Sequence, residues 1–132
     1  MLHKKVTYTN YNGEVVNEDV YFNLTSIELV RLEAKYEMSI PDKIKEVTES
    51  KDFRGIISLF EDLLLTAYGV KSEDGRRFVK DPQVTKEFGD SIAYAEIFEQ
   101  IILNPDAAKE LGEEIAYVSE ETKQNANLHT LN

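Results

Sequence analysis

The fold is organised around one long amphipathic segment, residues 52–68, which reads DFRGIISLFEDLLLTAY. Its apolar residues recur at the i, i+3, i+4 and i+7 spacing of a single helix face. The members of this stripe are Phe53, Ile56, Ile57, Phe60, Leu63, Leu64, Ala67 and Tyr68. Asp52 is suited to the N-cap, and Gly69 to the position that follows the helix. The pattern predicts a central helix packed on its apolar face, with Leu65 as an exception that projects among polar residues.

The segment at the start of the chain, residues 1–24, predicts a β-hairpin. Two stretches rich in Val, Thr and aromatic residues flank Asn12-Gly13, and Asn-Gly is the strongest short hairpin signal because both residues tolerate positive φ. A two-residue turn would pair Thr9 with Val16, but neither face of the hairpin would then be purely polar. Either both faces are covered, or a bulge shifts the register.

The helix that follows the hairpin carries two apolar stripes, whereas a surface helix needs only one. Thr25 and Glu28 have the spacing of a capping box, in which each residue bonds the backbone N–H of the other. The first stripe consists of Ile27, Val30, Ala34 and Met38, and the second of Leu29, Leu32 and Tyr36. We assign the second stripe as apolar surface beyond what the core requires.

The rest of the chain predicts shorter helices separated by turns. Their predicted starts are Ser39, Asp81-Pro82, Asp90 or Ser91, and Asn104-Pro105, which are good capping residues and first-turn prolines. Residues 70–80 read as a polar connection with a tight turn at Asp74-Gly75. Residues 119–132 are polar and aperiodic, so we expect a flexible tail there.

Together these elements predict a mostly helical α+β fold, in which an N-terminal β-hairpin packs on a bundle of about five to six helices. The chain has 132 residues, which is a suitable length for one core. We therefore expect a single domain over residues 1–118, with the hairpin in residues 1–24 and the helical bundle in residues 25–118.

The composition argues against several classes of function. Asp and Glu number 25 against 15 Lys and Arg, for a net charge of −10, which disfavours nucleic acid because phosphate needs a basic face. The chain has no cysteine and only two histidines, His3 and His129, so we expect neither a metal centre nor a cofactor. No apolar run approaches the roughly 20 residues of a membrane span. We therefore expect a cytoplasmic protein that contacts no membrane.

Catalytic patterns are also missing from the sequence. It contains no glycine-rich phosphate loop, no nucleophile elbow and no histidine pair at i, i+4. Adjacent carboxylates such as Glu61-Asp62 diverge by about 100° on a helix, so they do not converge on one substrate atom. We expect these carboxylates to lie on solvated faces and the protein not to be an enzyme.

Two features are candidate partner-binding sites. The first is the apolar surplus, whose members are Leu29, Leu32, Tyr36 and Leu65. Either the hairpin covers these residues, or they form a surface for another protein or for self-association. The second is a basic island that includes Arg76 and Arg77. It either anchors a carboxylate-bearing partner through the planar arginine fork or is neutralised by the acidic residues around it.

Three segments in order give the chain a family resemblance. They are residues 8–13 (YTNYNG) with 18–25 (EDVYFNLT), residues 67–78 (AYGVKSEDGRRF), and residues 93–98 (AYAEIF) with 106–108 (DAA). This series resembles the small tail assembly chaperones of long-tailed bacteriophages and prophages, most closely those of Gram-positive hosts. The resemblance covers about residues 4–112.

The resemblance implies a non-enzymatic role. Such chaperones bind the long tape measure protein, keep it soluble and help tail tube subunits polymerise around it, and they are absent from the finished virion. The implied partners are thus the tape measure protein and the tail tube protein, in the host cytoplasm, with a homo-oligomer left open. Many members also have a longer product made by frameshifting, and here the extension would join after Val118.

Two other classes of function stay open at this stage. A small adaptor could bind a cellular protein through the same surfaces, and the neighbouring genes would distinguish it from a tail chaperone. A small acid–base enzyme would instead require a concave pocket lined by buried carboxylates with raised pKa values.

Overall fold

The chain begins with two antiparallel strands, β1 (Leu2–Thr9) and β2 (Val15–Phe22), in a computed structural model that describes residues 1–116. The predicted N-terminal hairpin is thereby confirmed, but its two-residue turn is not. Thr9 pairs with Val15, one residue away from the partner that such a turn requires. The loop between the strands is longer by one residue, and Gly13 supplies its positive φ of 80°.

The shifted register gives the hairpin one buried face and one exposed face. On the inner face Lys4 lies opposite Val20, and Val6 opposite Glu18. Val6, Val20 and Phe22 are buried there, whereas the outer positions are exposed or half-buried. Because side chains alternate along a strand, one residue of slip moves the whole apolar set to the other face. The register is thus shifted as the second alternative required, but by the longer loop, since the pairing from Leu2–Phe22 to Thr9–Val15 is continuous.

Two helices follow, α1 (Ser26–Tyr36) and α2 (Ile40–Glu49). The predicted capping box of α1 is present, with the Glu28 N–H donating to the Thr25 hydroxyl over 3.3 Å and the Thr25 N–H donating to the Glu28 carboxylate over 2.9 Å. Ser39 caps α2 as predicted. Both helix starts are thus fixed by residues within one turn.

The central helix α3 (Phe53–Ala67) is capped by Asp52 and buries one face, as predicted. Its buried residues are Ile56, Leu59, Phe60, Leu63, Leu64 and Ala67. The helix ends one residue before Tyr68, whose extended ψ of 142° begins a strand. Gly69 is therefore not the left-handed residue after a helix. It lacks a side chain because an added Cβ would lie 2.5 Å from the ring of Phe78.

A second hairpin follows α3 where the sequence predicted only a polar connection. It consists of β3 (Tyr68–Lys71) and β4 (Phe78–Val79), and it extends the sheet to four strands in the order β1-β2-β3-β4. The predicted turn at Asp74-Gly75 is present, with Gly75 at a φ of 72°. These strands are too short for a period of two to emerge from the sequence.

Three helices complete the described chain: α4 (Pro82–Gly89), α5 (Ile92–Leu103) and α6 (residues 105–116). Their predicted starts are confirmed, since the side chains of Asp81, Ser91 and Asn104 each accept from backbone N–H groups of the first turn. The predicted tail and the domain boundary after residue 118 lie outside the described residues. The α+β class with an N-terminal hairpin and six helices agrees with the prediction.

An aromatic cluster joins the sheet to α4 and α5. The ring of Tyr68 stacks on Phe88, with centroids 3.9 Å apart and planes 12° from parallel. Phe22 and Tyr94 meet the Phe88 ring edge-on, at 5.9 and 5.2 Å. Burial and the charge of Glu61 raise the pKa of Tyr94 to about 12. The second hairpin is thus held by the same core as the first.

Lys80 connects the end of β4 to the start of α1. Its ammonium group lies 2.7 Å from the Glu28 carboxylate and also donates to the carbonyl oxygen of Asn23. Burial alone would raise the pKa of Glu28, but hydrogen bonds from Lys80 and Thr25 and the charge of Lys80 outweigh it and lower that pKa. The same carboxylate thus serves as a helix cap and as an ion-pair partner.

Glu28→Gln is expected to lower the free energy of unfolding at pH 7 by about 1 kcal/mol. Glutamine keeps the capping hydrogen bond but removes the charge facing Lys80. Because the folded-state pKa of Glu28 is lowered, its contribution is complete above the unfolded value and is lost as pH falls through the folded value. Urea unfolding should therefore show a gap between the two proteins at pH 7 that closes in acid. An equal gap at both pH values would contradict this role, and the exposed Glu99→Gln is the control.

Candidate partner-binding surfaces

The predicted apolar stripe of α1 lies inside the protein. Leu29 and Leu32 are 0% and 7% exposed and belong to the hydrophobic core, and Tyr36 is half-buried against it. The expectation that this stripe is surplus surface is therefore corrected, because it belongs to the hydrophobic core and α1 packs on α2. Partner binding by these residues stays a prediction, and Leu29 and Leu32 are out of a partner's reach in this conformation.

The other stripe of α1 is the accessible one. Ile27 is 58% exposed and Val30 is 44% exposed, and Ala34 continues the stripe on the exposed side. The sequence predicted both apolar stripes on this helix, but it did not indicate which of the two faces the core. The apolar surplus of α1 therefore exists, but on the opposite face.

Two further pairs of accessible apolar side chains lie on α3 and α5. Phe53 and Ile57 are 54% and 42% exposed, one turn apart at the start of α3. Ile102 and Leu103 are exposed near the end of α5, which packs beside α3. The sequence analysis placed Phe53 and Ile57 in the core stripe. Ile57 lies at the edge of that stripe, whereas Phe53 lies within it but is the first residue of the helix.

Tyr36 ties α1 to α3 through a polar contact. Its hydroxyl donates to the Asp62 carboxylate over 2.5 Å, and the ammonium group of Lys35 lies 2.7 Å from the same oxygen. Burial, followed by the hydrogen bond to Asp62, raises the pKa of Tyr36 above its usual range. The tyrosine is therefore a neutral donor whose hydroxyl is already occupied.

The remaining predicted residues lie apart from one another. Leu65 is half-buried against the core and close to α4, since a Cβ added to Gly89 would lie 3.5 Å from it. Arg76 and Arg77 are exposed in the loop between β3 and β4. Within residues 1–116 neither guanidinium group forms an ion pair. The six predicted residues do not form one continuous site.

The Asp74 carboxylate helps to shape the turn that carries these arginines. It accepts from the Ser72 hydroxyl over 2.7 Å and from the Arg76 backbone N–H over 3.0 Å. These hydrogen bonds lower the pKa of Asp74 below its usual value. The Asp74 carboxylate therefore binds the backbone of the turn, and within residues 1–116 it forms no ion pair with either arginine.

A groove of about 420 Å³ runs between β1 and the helices α5 and α6. Its apolar lining residues are Val6, Phe22, Ile97, Ile101, Ala107 and Leu111, and its polar ones are Lys4, Lys5, Thr7, Gln100, Glu110 and Glu114. Lys4 reaches across it to Glu114, with 3.3 Å between the ammonium nitrogen and the carboxylate oxygen. The groove lies beside a strand edge, and its lining includes two carboxylates, Glu110 and Glu114.

Other kinds of site can be tested on the described residues alone. Among residues 1–116, no group of three or more His, Cys, Asp or Glu side chains is placed to hold a metal ion. In the same range every buried side-chain nitrogen or oxygen has a hydrogen-bond partner. None of the described helices has the length and apolar character needed to cross a membrane.

The class of protein that these features define is a small acidic α+β protein with several apolar side chains exposed on its helices. A family model described as phage tail assembly chaperone matches residues 1–125. The chain therefore belongs to the phage tail assembly chaperone family, which agrees with the resemblance found in the sequence. No curated protein and no solved structure matches the chain significantly.

Membership of this family has consequences for the kind of function. It suggests a non-enzymatic role and implies protein partners in tail assembly. Because tails are assembled in infected cells, the expected place of action is inside the host cell.

Proposed function

We propose that this protein binds and solubilises the tape measure protein of its phage and promotes tail tube assembly around it. The chaperone acts in the host cytoplasm, turns over no nucleotide and leaves before the virion is complete. Its mechanism is reversible covering of apolar helical surface on the client. The tail tube protein is a second candidate partner.

The observation that carries this proposal is the pair of accessible apolar surfaces on the helices. We define the α1 stripe as Ile27, Val30 and Ala34, and the α3–α5 patch as Phe53, Ile57, Ile102 and Leu103. A long helical client exposes apolar stripes before assembly, and such stripes are matched by apolar residues on a partner helix. The net charge of −10 keeps the complex in solution.

The residues predicted from the sequence enter this proposal in different ways. Tyr36 and Leu65 are half-buried and Arg76 and Arg77 are exposed, so a client can touch them directly. Leu29 and Leu32 support the α1 stripe from inside by fixing the rotation of the helix. The client-binding residues that we would change first are therefore Ile27 and Val30.

The double substitution Ile27→Glu and Val30→Glu is expected to reduce co-purification with the co-expressed tape measure protein at least about tenfold. Two charges would face an apolar client stripe, and disrupting a residue at the centre of a well-packed interface commonly costs more than about 1 kcal/mol of binding free energy. The measurement is the amount of soluble tape measure protein recovered with the tagged chaperone. Far-ultraviolet circular dichroism verifies that the variant is folded.

The control is Val15→Glu, which places one such charge on an exposed valine at the end of β2 that is far from α1. It should leave co-purification unchanged. Equal recovery with the double variant would reject the α1 stripe, and a parallel variant of Phe53 and Ile57 then tests the α3–α5 patch. If neither surface matters and the tape measure protein stays soluble without the chaperone, the proposed function is wrong.

A further inference from the structure

Two arginines of the second hairpin lack an acidic partner, although the chain as a whole is acidic. We define the arginine loop as residues 72–77, which join β3 to β4 and carry Arg76 and Arg77. Both side chains are exposed, and neither guanidinium group forms an ion pair within the described residues. The carboxylate of Asp74 in the same loop is occupied by the Ser72 hydroxyl and a backbone N–H. The two positive charges are therefore available to a partner.

Hydrogen bonds within the arginine loop hold its backbone in one shape. The Ser72 N–H donates to the Arg77 carbonyl over 2.9 Å, and the Gly75 N–H donates to the Ser72 carbonyl over 2.9 Å. The Ser72 hydroxyl also accepts from the Arg77 N–H over 3.0 Å. A backbone that is already ordered lowers the entropy cost of placing the two guanidinium groups on a partner. Each group can then donate two parallel hydrogen bonds to one carboxylate.

A row of unpaired carboxylates lies on α6. We define the acidic stripe as Asp106, Glu110 and Glu113, whose i, i+4 and i+7 spacing places them on one face of the helix. All three residues are exposed, and none of them forms an ion pair within residues 1–116. Lys109, at the edge of the stripe, forms no ion pair in that range either. Like charges at this spacing repel one another, so a cationic partner would stabilise the stripe.

The row with the same spacing on α2 is less suited to a cationic partner. Its members are Asp42, Glu46 and Glu49. Glu46 already pairs with Lys43, with 3.0 Å between the carboxylate oxygen and the ammonium nitrogen, and Lys45 adds a second positive charge to the helix. The acidic stripe of α6 is therefore the better match for the arginine loop.

The arginine loop and the acidic stripe belong to opposite edges of the sheet. α6 lines the groove beside β1, and its Glu114 pairs with Lys4 of that strand. The arginine loop extends from β3 and β4, at the other end of the strand order. Two different complementary patches on one molecule favour head-to-tail contacts between copies, which continue from copy to copy instead of closing at a dimer.

We propose that the arginine loop of one copy binds the acidic stripe of a second copy, so that copies join head to tail. Arg76 and Arg77 pair with the carboxylates of the stripe. Val70, two residues before the loop, and Leu103, three residues before the stripe, are 46% and 74% exposed and add apolar area to the contact. Only Leu103 is shared with the surfaces assigned to the tape measure protein, so the inference goes beyond the proposed function.

The net charge of −10 makes two copies repel each other at long range. Salt screens this repulsion beyond about 8 Å at physiological ionic strength. The paired arginine and carboxylate groups are in direct contact, so screening affects them less. The local attraction therefore determines the orientation in which two copies meet.

The test measures self-association of the full-length protein by sedimentation velocity and light scattering. The parent protein should form species larger than a dimer as its concentration rises. The double variants Arg76→Glu with Arg77→Glu, and Glu110→Arg with Glu113→Arg, should each associate at least about tenfold more weakly, because both surfaces of a copy then carry the same sign. An equimolar mixture of the two variants should restore association, because each contact between them again joins opposite charges.

A control variant separates the proposed contact from a general effect of net charge. Arg31→Glu with Arg54→Glu makes the same change in net charge as the loop variant, at exposed positions of α1 and α3. It should associate like the parent protein. Far-ultraviolet circular dichroism verifies that every variant is folded.

Three outcomes would overturn the inference. The first is a parent protein that stays monomeric up to about 1 mM. The second is an equal loss of association in the loop variant and in the control variant, and the third is a mixture of the two charge-reversed variants that associates no better than either alone. All of these measurements use the protein by itself, so their failure is distinct from a failure to bind the tape measure protein.

Discussion

Leu29→Glu is expected to unfold the protein or to cost at least about 3–5 kcal/mol, whereas Val30→Glu, on the next residue, should stay within about 0.5 kcal/mol of the parent. Leu29 is fully buried in the core, and Val30 faces outwards on the same helix. A carboxylate at position 29 would be buried without a partner. Small proteins have about 5–15 kcal/mol of stability in total, so this loss is a large fraction.

The measurement is urea unfolding followed by circular dichroism at 222 nm, on both variants under the same conditions. Leu32→Glu should behave like Leu29→Glu, with a smaller loss because Leu32 is slightly exposed. If Val30→Glu were the damaging change and Leu29→Glu were harmless, the two faces of α1 would be exchanged. The accessible stripe would then be the one first assigned from the sequence.

Phe60→Ala should lower the free energy of unfolding by about 3–5 kcal/mol. The ring is fully buried at the middle of α3, and an added Cβ on Gly112 of α6 would lie only 3.1 Å from it. Removing the ring therefore leaves a cavity between two helices that approach closely. Surrounding atoms can fill only part of such a cavity, so most of the loss persists.

Phe53→Ala is the matched control, because it removes the same side chain from an exposed position on the same helix. It should change the free energy of unfolding by less than about 1 kcal/mol. Chemical denaturation of both variants provides the comparison. Equal losses at the two positions would show that Phe53 is part of the core and would remove it from the α3–α5 patch.

Local chemistry explains why the helix starts could be predicted. Thr25, Ser39, Asp52, Asp81 and Ser91 each accept a backbone N–H within their own first turn. Such a cap depends on three or four consecutive residues and is therefore visible in the sequence. The amphipathic stripe of α3 is equally local, since its period is set by the helix itself.

Features that depend on distant residues were not predictable in the same way. The start of β3 directly after Ala67 requires β2 as a neighbour, and the absence of a side chain at Gly69 reflects the ring of Phe78. The hairpin register depended on a loop one residue longer than the Asn-Gly signal suggested.

The candidate surfaces show the same limit. The sequence correctly predicted an apolar excess on α1. Only packing against the rest of the protein decides that Leu29 faces inwards and Ile27 outwards. Phe53 and Ile57 fit the core period, but the folded protein leaves both of them exposed. The groove beside β1 requires α5 and α6 to be in place, so no pattern in a single segment could indicate it.

The direct passage from α3 into β3 has a mechanical consequence. No linker separates Ala67 from Tyr68, and the carbonyl of Ala67 accepts a hydrogen bond from the N–H of Asn23, just after β2, over 2.8 Å. The end of α3 is thus joined to the sheet by the chain itself and by this hydrogen bond. We therefore expect a tilt of α3 at its Phe53 end to move β3 and the end of β2 with it.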